Sequence, residues 1–267
     1  MNSVAFKGFN AGAQVYHAAR PRYPLTAVEH LFSHQPATLA TNPQSILEIG
    51  SGTGIFTEYI QRHFPSATIT CLEPAKGMSD VASSVLPQTP PFTVLTATAD
   101  AIPLPTDSVD RIYIAQAFHW FATVQALHEM HRVLKPGGVL GLVWNMEDKE
   151  RAPWVRQIRA LYEMKEQGTP QYRLGLWKRV FEEDEVRTMF DLPLQSAHFE
   201  HVVADKEAIW NRVLSKSYVS ALSSGQQEDL RAKVMAVLEA SDVEIEYDAE
   251  GHLLYPYKTD VFVTFKK

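Results

Sequence analysis

The 267-residue chain has little sulfur chemistry to offer, because Cys71 is its single cysteine. One thiol excludes an internal disulfide and a four-cysteine zinc site. Set in "ATITCLEP", it reads as a small core residue on a strand. Long apolar runs are missing too, and none reaches the roughly 18 residues of a membrane span. The opening "MNSVAFKGFNAGAQ" lacks the apolar segment of a secretory signal. Basic residues are outnumbered, with 25 Lys and Arg against 31 Asp and Glu and a net charge of −6. That balance opposes a broad nucleic-acid face, which needs clustered Lys and Arg. The expectation is a soluble, reduced, cytoplasmic protein with no nucleic-acid or membrane partner. No repeat or low-complexity tract occurs. The oligomeric state leaves no mark.

What the chain does contain is ordinary for a soluble globular protein, with 45% hydrophobic and 21% charged residues. A chain of this length buries a full core without staples. Strand-like and helix-like segments alternate from about residue 44. "SILEI", "ATITCLE", "FTVLTATA", "VDRIYIAQA" and "GVLGLVW" read as strands. "GIFTEYIQRHF", "PAKGMSDVASSVL" and "TVQALHEMHRVL" read as helices between them, the last stopping at Lys135-Pro136-Gly137-Gly138. Such alternation makes right-handed parallel βαβ units. The fold expected is α/β, a doubly wound, mostly parallel seven-stranded sheet with a helical cap insertion. Residues 1–43 form an N-terminal helical segment, 44–145 the α/β core, and 146–193 the cap. Residues 194–267 supply the strands and helices that complete the sheet.

The turn after the first strand is Gly50-Ser51-Gly52-Thr53-Gly54. A dinucleotide fingerprint G-x-G-x-x-G needs its third glycine at position 55, where Ile stands, and no P-loop run G-x-x-x-x-G-K-[ST] appears. Glycines alone also serve tight α/β turns for steric reasons. The next strand ends in Glu73, 19 residues after Gly54. An acid there can accept from both hydroxyls of a ribose, each bond to a charged acceptor contributing roughly 1.5–3 kcal/mol. Asp100, taken as the end of the third strand, offers an acceptor for an adenine amino group. "AQAFHWF" closes the fourth strand, where such a sheet opens into its ligand crevice.

These stretches together resemble the class I S-adenosylmethionine-dependent methyltransferases. The resemblance is carried by "LEIGSGTG", "LEP" with "GM", "ADA.PLPTDSVD", "AQAFHWF" and "HRVLKPGGVLGLVWN", over about residues 44–145. "YHAARPRYP" is similar to the N-terminal segment of the small-molecule branch that includes trans-aconitate methyltransferases, and residues 146–240 carry no further likeness. The resemblance implies a Rossmann-like fold and S-adenosyl-L-methionine as cofactor. It sets Glu48, Gly50, Ser51, Gly52 and Gly54 along the methionine part and Glu73 on the ribose. Pro74 and Met78 then flank the adenosine, Asp100 and Ala101 border the adenine, and Gln116 faces the methionine end. Tyr16 and Arg20 close the site from the N-terminal segment.

The activity so implied is methyl transfer to a metabolite oxygen, a carboxylate or a hydroxyl. A protonated acceptor needs a base, and His119 is the candidate, with the alternative that it is a fixed wall residue. His17 is a second candidate, or a surface helix residue. Trp120, Trp144 and Trp177 are candidates for the substrate wall. Trp154, Tyr162, Tyr172, Phe181 and Trp210 line a substrate pocket or pack the cap onto the sheet. Arg151, Arg156, Arg159, Arg173, Lys178 and Arg179 read as a solvated face or as cations suited to an anionic substrate. No metal site is expected, since His128 and His131 are spaced i, i+3 without a third ligand. A competing reading keeps cofactor binding as structural, while the pocket steers a rearrangement or cyclisation. Nucleic-acid methylation lacks its Asn or Asp-Pro-Pro-aromatic signature after the fourth strand.

Overall fold

The computed structural model describes residues 8–9, 12–35, 43–89, 91–166, 168–203, 206–240 and 244–267. The expected N-terminal segment lies outside them at positions 1–7, 10–11 and 36–42. Seven strands run β1 (Ser45–Ile49), β2 (Thr68–Leu72), β3 (Phe92–Leu95), β4 (Val109–Ala115), β5 (Leu134–Glu147), β6 (Gln195–Val203) and β7 (Tyr255–Phe265). They form one sheet in the order β3-β2-β1-β4-β5-β7-β6. The helices between the first five strands are α3 (Ile55–His63), α4 (Lys76–Val85) and α5 (Val124–Val133). Before the sheet come α1 (Ala13–Ala19) and α2 (Leu25–Ser33). After β5 come α6 (Pro153–Glu163), α7 (Asp184–Met189), α8 (Lys206–Leu214), α9 (Ser217–Ser220) and α10 (Ser224–Glu239).

β1 pairs in parallel with β2 and β4, β2 with β3, and β4 with β5. Parallel strands covered on both faces read as continuous apolar runs, which is why Ile46, Leu47 and Ile49 of "SILEI" are all buried. Cys71 sits among them at 1% exposure, its thiol pushed up by burial. Asp110 pins the lower edge of this array. Its Oδ2 accepts the N–H groups of Gln44 and Ser45 at 2.8 and 2.9 Å, and its Oδ1 the Lys135 ammonium at 2.8 Å.

Two boundaries differ from the sequence expectation. β3 stops at Leu95 rather than running to Ala99, because the chain turns there: Ala101 N–H donates to Thr98 O. β5 begins at Leu134 and keeps the Lys-Pro-Gly-Gly run inside the strand. Gly137 N–H donates to Lys266 O and Lys266 N–H to Gly138 O, so pairing with β7 outweighs the breakers. The register continues with Asp148 N–H on Pro256 O, which sets β5 and β7 antiparallel.

The chain divides into two compact units. Unit 2 comprises Leu25–Trp144, Pro170–His198 and Asp260–Lys267. Its core joins Leu47, Ile112, Leu140 and Trp144 of the sheet to Leu127 and Met130 of α5 and to Trp177, Val186 and Phe190. Unit 1 comprises Met1–Pro24, Asn145–Thr169 and Phe199–Thr259. There Trp154, Ile158 and Tyr162 of α6 pack with Val213 of α8, Val234 of α10 and Tyr255 of β7. Residues 146–169 of the expected cap fall in unit 1 and residues 170–193 in unit 2. Among the described residues no helix is long and apolar enough to cross a membrane.

In unit 2 the ring of Phe32 meets Phe56, Phe64 and Tyr113 with centroids 5.7, 5.0 and 5.0 Å away. Phe32→Ala is expected to cost about 3–5 kcal/mol of unfolding free energy. Urea denaturation measures it, and a loss below about 1 kcal/mol contradicts this account of the core.

Candidate active site

β1 lies between β2 and β4, so the chain leaves the carboxyl ends of β1 and β4 toward opposite sides of the sheet. Ligands of open α/β sheets bind in the crevice at such a switch point. The turn after β1 holds Gly50, Gly52 and Gly54 at positive φ of 70, 58 and 83°. A side chain on Gly50 would bring its Cβ to 2.6 Å from Ala117 Cβ, in the turn after β4. The two turns therefore touch across the switch point only because position 50 has no side chain. Gly52 differs: a Cβ there would meet nothing within 4 Å. That half-buried backbone faces open space, a cradle that a ligand can enter.

Two buried acids frame the loop. Glu73, at the end of β2, accepts Gly52 N–H on Oε2 at 2.9 Å and Ala75 N–H on Oε1 at 2.8 Å. Burial raises its pKa, against those two N–H groups. Glu48, on β1, is 1% exposed and takes the Thr57 hydroxyl on Oε2 at 2.6 Å. Its Oε1 and the Ser51 hydroxyl are buried without a hydrogen-bond partner among the described residues. Burial pushes the Glu48 carboxyl up to about 8, with the Thr57 bond opposing and the charge of Glu73 adding to the rise. Pro74 and buried Met78 follow at the entrance and first turn of α4.

The turn after β4 is built under strain. Gln116 holds φ at 60°, unusual for a residue with a side chain, and its N–H is fixed on Val143 O at 2.9 Å. Such outliers gather at functional sites. The short 3-10 turn Phe118–Trp120 follows, with Phe118 buried and His119 and Trp120 half-buried. His119 Nδ1 accepts the Trp144 indole N–H at 3.2 Å. Indole only donates, so this bond leaves the proton of a neutral imidazole on Nε2.

The structure thus brings Glu48, Gly50, Ser51, Gly52, Gly54, Glu73, Pro74, Met78, Gln116, His119 and Trp120 to the carboxyl-end turns of β1, β2 and β4 in unit 2. Asp100 and Ala101 are exposed on the turn after β3, five residues past the strand end. Asp100 is therefore not a strand terminus. Its carboxyl is held low first by the Thr98 hydroxyl. Trp144 is fully buried and Trp177 is 3% exposed, both in the core behind His119. Tyr172 stacks on Trp144 at 4.5 Å. Tyr16 and Arg20 belong to unit 1. Of the helix pair, His128 bonds Glu185 at 2.6 Å and His131 packs edge-on to Phe190. Ligand atoms of Asp248, Glu250 and His252 lie within 4.8 Å of one another. Asp248 there accepts the N–H groups of Glu250 and His252, which closes a tight turn. Sequence reasoning missed Thr57 and Ala117. A threonine facing inward on the first turn of α3 was the available signal for Thr57.

Residues 47–142 match the family model described as a methyltransferase domain. A protein of Mycobacterium tuberculosis (strain H37Rv) described as an uncharacterised methyltransferase is 38% identical over 151 residues, 56% of each chain. The chain thus spans a little over half the length of the first curated relatives that it matches. A malonyl-[acyl-carrier protein] O-methyltransferase of Geobacter sulfurreducens is 28% identical over 184 residues, covering 68% of this chain and 65% of that protein. Among solved structures, a putative type II methyltransferase from Anaeromyxobacter dehalogenans superposes with a TM-score of 0.58. It shares 22% identity and covers 91% of this chain and 97% of its own. That likeness shows the fold.

Because the Glu48 carboxyl titrates at about 8 in the fold instead of 4.5, its contribution to stability is complete below pH 4.5. It is lost as the pH rises toward 8. Glu48→Gln, which cannot ionise, is expected to flatten the decline between those limits. Thermal melts of both proteins across that range test this, and parallel profiles contradict it.

Proposed function

We propose that the chain is a class I S-adenosylmethionine-dependent methyltransferase, in keeping with its methyltransferase-domain match and relatives, and that it transfers a methyl group to an oxygen of a small metabolite, a carboxylate in particular. The observation that carries the proposal is the open backbone at Gly52, held between the buried carboxyls of Glu48 and Glu73 at the switch point. The residues fit S-adenosyl-L-methionine. Gly50, Ser51, Gly52 and Gly54 supply backbone, with the buried Ser51 side chain beside them. The half-paired carboxyl of Glu48 suits a cationic neighbour. Glu73 keeps acceptor capacity on both oxygens for ribose hydroxyls, since each holds one N–H donor. Pro74 and Met78 give apolar contact, and Asp100, Ala101 and Gln116 complete the binding set. Bound there, the cofactor supplies a methyl group on a positively charged sulfur.

What the protein adds is alignment, which contributes up to roughly 7–11 kcal/mol in favourable cases. His119 has its Nδ1 lone pair engaged by Trp144, so a neutral ring carries its proton on Nε2. In this state it serves as a fixed wall residue and removes no proton. A carboxylate arrives ionised and needs no base, whereas a hydroxyl does. Trp120 stands beside His119, with ring centroids 5.1 Å apart, and supplies apolar wall, backed by Trp144 and Trp177. The O-methyltransferase name of the Geobacter relative is in keeping with an oxygen acceptor.

Calorimetry with S-adenosyl-L-methionine tests the binding step. The wild-type chain is expected to bind, and Glu73→Ala to lose about 10- to 100-fold in affinity. Gly52→Ala, whose added methyl meets nothing within 4 Å although the φ of 58° strains any residue with a Cβ, should fold with a modest loss of stability, checked by its melt, yet bind at least about tenfold more weakly. No wild-type binding, or unchanged affinity in both variants, overturns the proposal.

A further inference from the structure

Around Glu147, unit 1 gathers several cations on one buried carboxylate. Glu147, at the end of β5, is 1% exposed, and its Oε1 takes Arg212 Nη2 at 2.8 Å and Lys216 Nζ at 3.0 Å. Both cations are buried as well, at 3% and 8% exposure. Arg20, half-buried, joins them: its Nη2 donates to Ser215 O at 3.1 Å, and its charge acts on both Arg212 and Lys216. Arg159 adds no neutralisation, since it donates to Glu147 O at 2.8 Å and pairs with Glu163 at 2.6 Å. Three cations therefore face one carboxylate where water is scarce. Burial and then the charge of Arg212 lower the pKa of Arg20 and of Lys216.

The donors left over point to what completes the cluster. Arg212 Nε and Nη1, Arg20 Nε and the hydroxyls of Tyr162 and Tyr255 are buried without hydrogen-bond partners among the described residues. Glu147 Oε2 is the one partnerless acceptor in the same group. Buried charge is tolerated when paired, and guanidinium donors pair best with planar or tetrahedral oxyanions. Arg20 lies over the half-buried ring of Tyr16 at 4.3 Å.

We propose that Arg20, Arg212, Tyr162 and Tyr255 form an oxyanion-binding site in unit 1 that receives the carboxylate or phosphate of a small molecule. The assignment concerns unit 1 alone and does not rest on methyl transfer. Calorimetry and thermal melts of the full chain test it, using succinate or inorganic phosphate in an oxyanion-free buffer, with sodium chloride at matched ionic strength as control. Binding and a raised melting temperature with either probe, absent with chloride, are expected. The probe that binds more tightly identifies the group received. Arg20→Gln, which removes the guanidinium, should weaken that binding at least about tenfold, and Tyr255→Phe should weaken it measurably. Absence of binding by both probes overturns the proposal. So does unchanged affinity in the two variants, each first shown by its melt to be folded.

Discussion

The carboxylate of Glu73 ties the end of β2 to the glycine loop. One oxygen holds the N–H of Gly52 and the other that of Ala75, so the loop and the entrance to α4 close on a single buried anion. Bonds to a charged acceptor are about twice as strong as neutral ones, which suits a turn held at positive φ in three places. Both donors are backbone groups, so the arrangement asks little of the side chains in the loop. Its demand is steric, since position 50 must have no side chain to touch the turn after β4.

From that tie follows the electrostatic character of the crevice. Two acids are buried against the loop, Glu48 just before it in sequence and Glu73 bonded to the Gly52 N–H, and burial raises the pKa of each. A site of this kind is costly when empty of positive charge and suits a cationic ligand. Unit 1 has the opposite balance, with Arg20, Arg212 and Lys216 around Glu147. Glu147 itself is held well below the usual carboxylate range, because Arg212, Lys216 and Arg159 outweigh its burial. The two clusters therefore differ in sign, acidic at the glycine loop and basic around Glu147.

The sheet was legible in the sequence because parallel strands buried on both faces leave apolar runs that local pattern reveals. The glycine spacing and the acid at position 73 were legible because both turns fall at the end of such runs. Asp100 was misplaced for a local reason: "TATA" keeps β-like composition after Leu95, where the chain has already turned. The cluster around Glu147 left no trace, since residues 20, 147, 212 and 216 meet only through tertiary packing. Arg159, read as part of a solvated face, is 4% exposed and pairs with Glu163. Spacing along one helix cannot show which charges a distant helix will cover. Likewise, nothing in "AFHWF" discloses that Trp144 will engage His119 Nδ1 and so fix its proton.

The central claim is that the crevice aligns a small anionic acceptor with a transferable methyl group. Incubation of the chain with methyl-labelled S-adenosyl-L-methionine and an extract of acidic metabolites tests it directly, with mass spectrometry locating the label. The account predicts a labelled product heavier than its precursor by one methylene and carrying the methyl on oxygen. A chain that binds the cofactor yet leaves every metabolite unlabelled, or returns a product of unchanged mass, contradicts it.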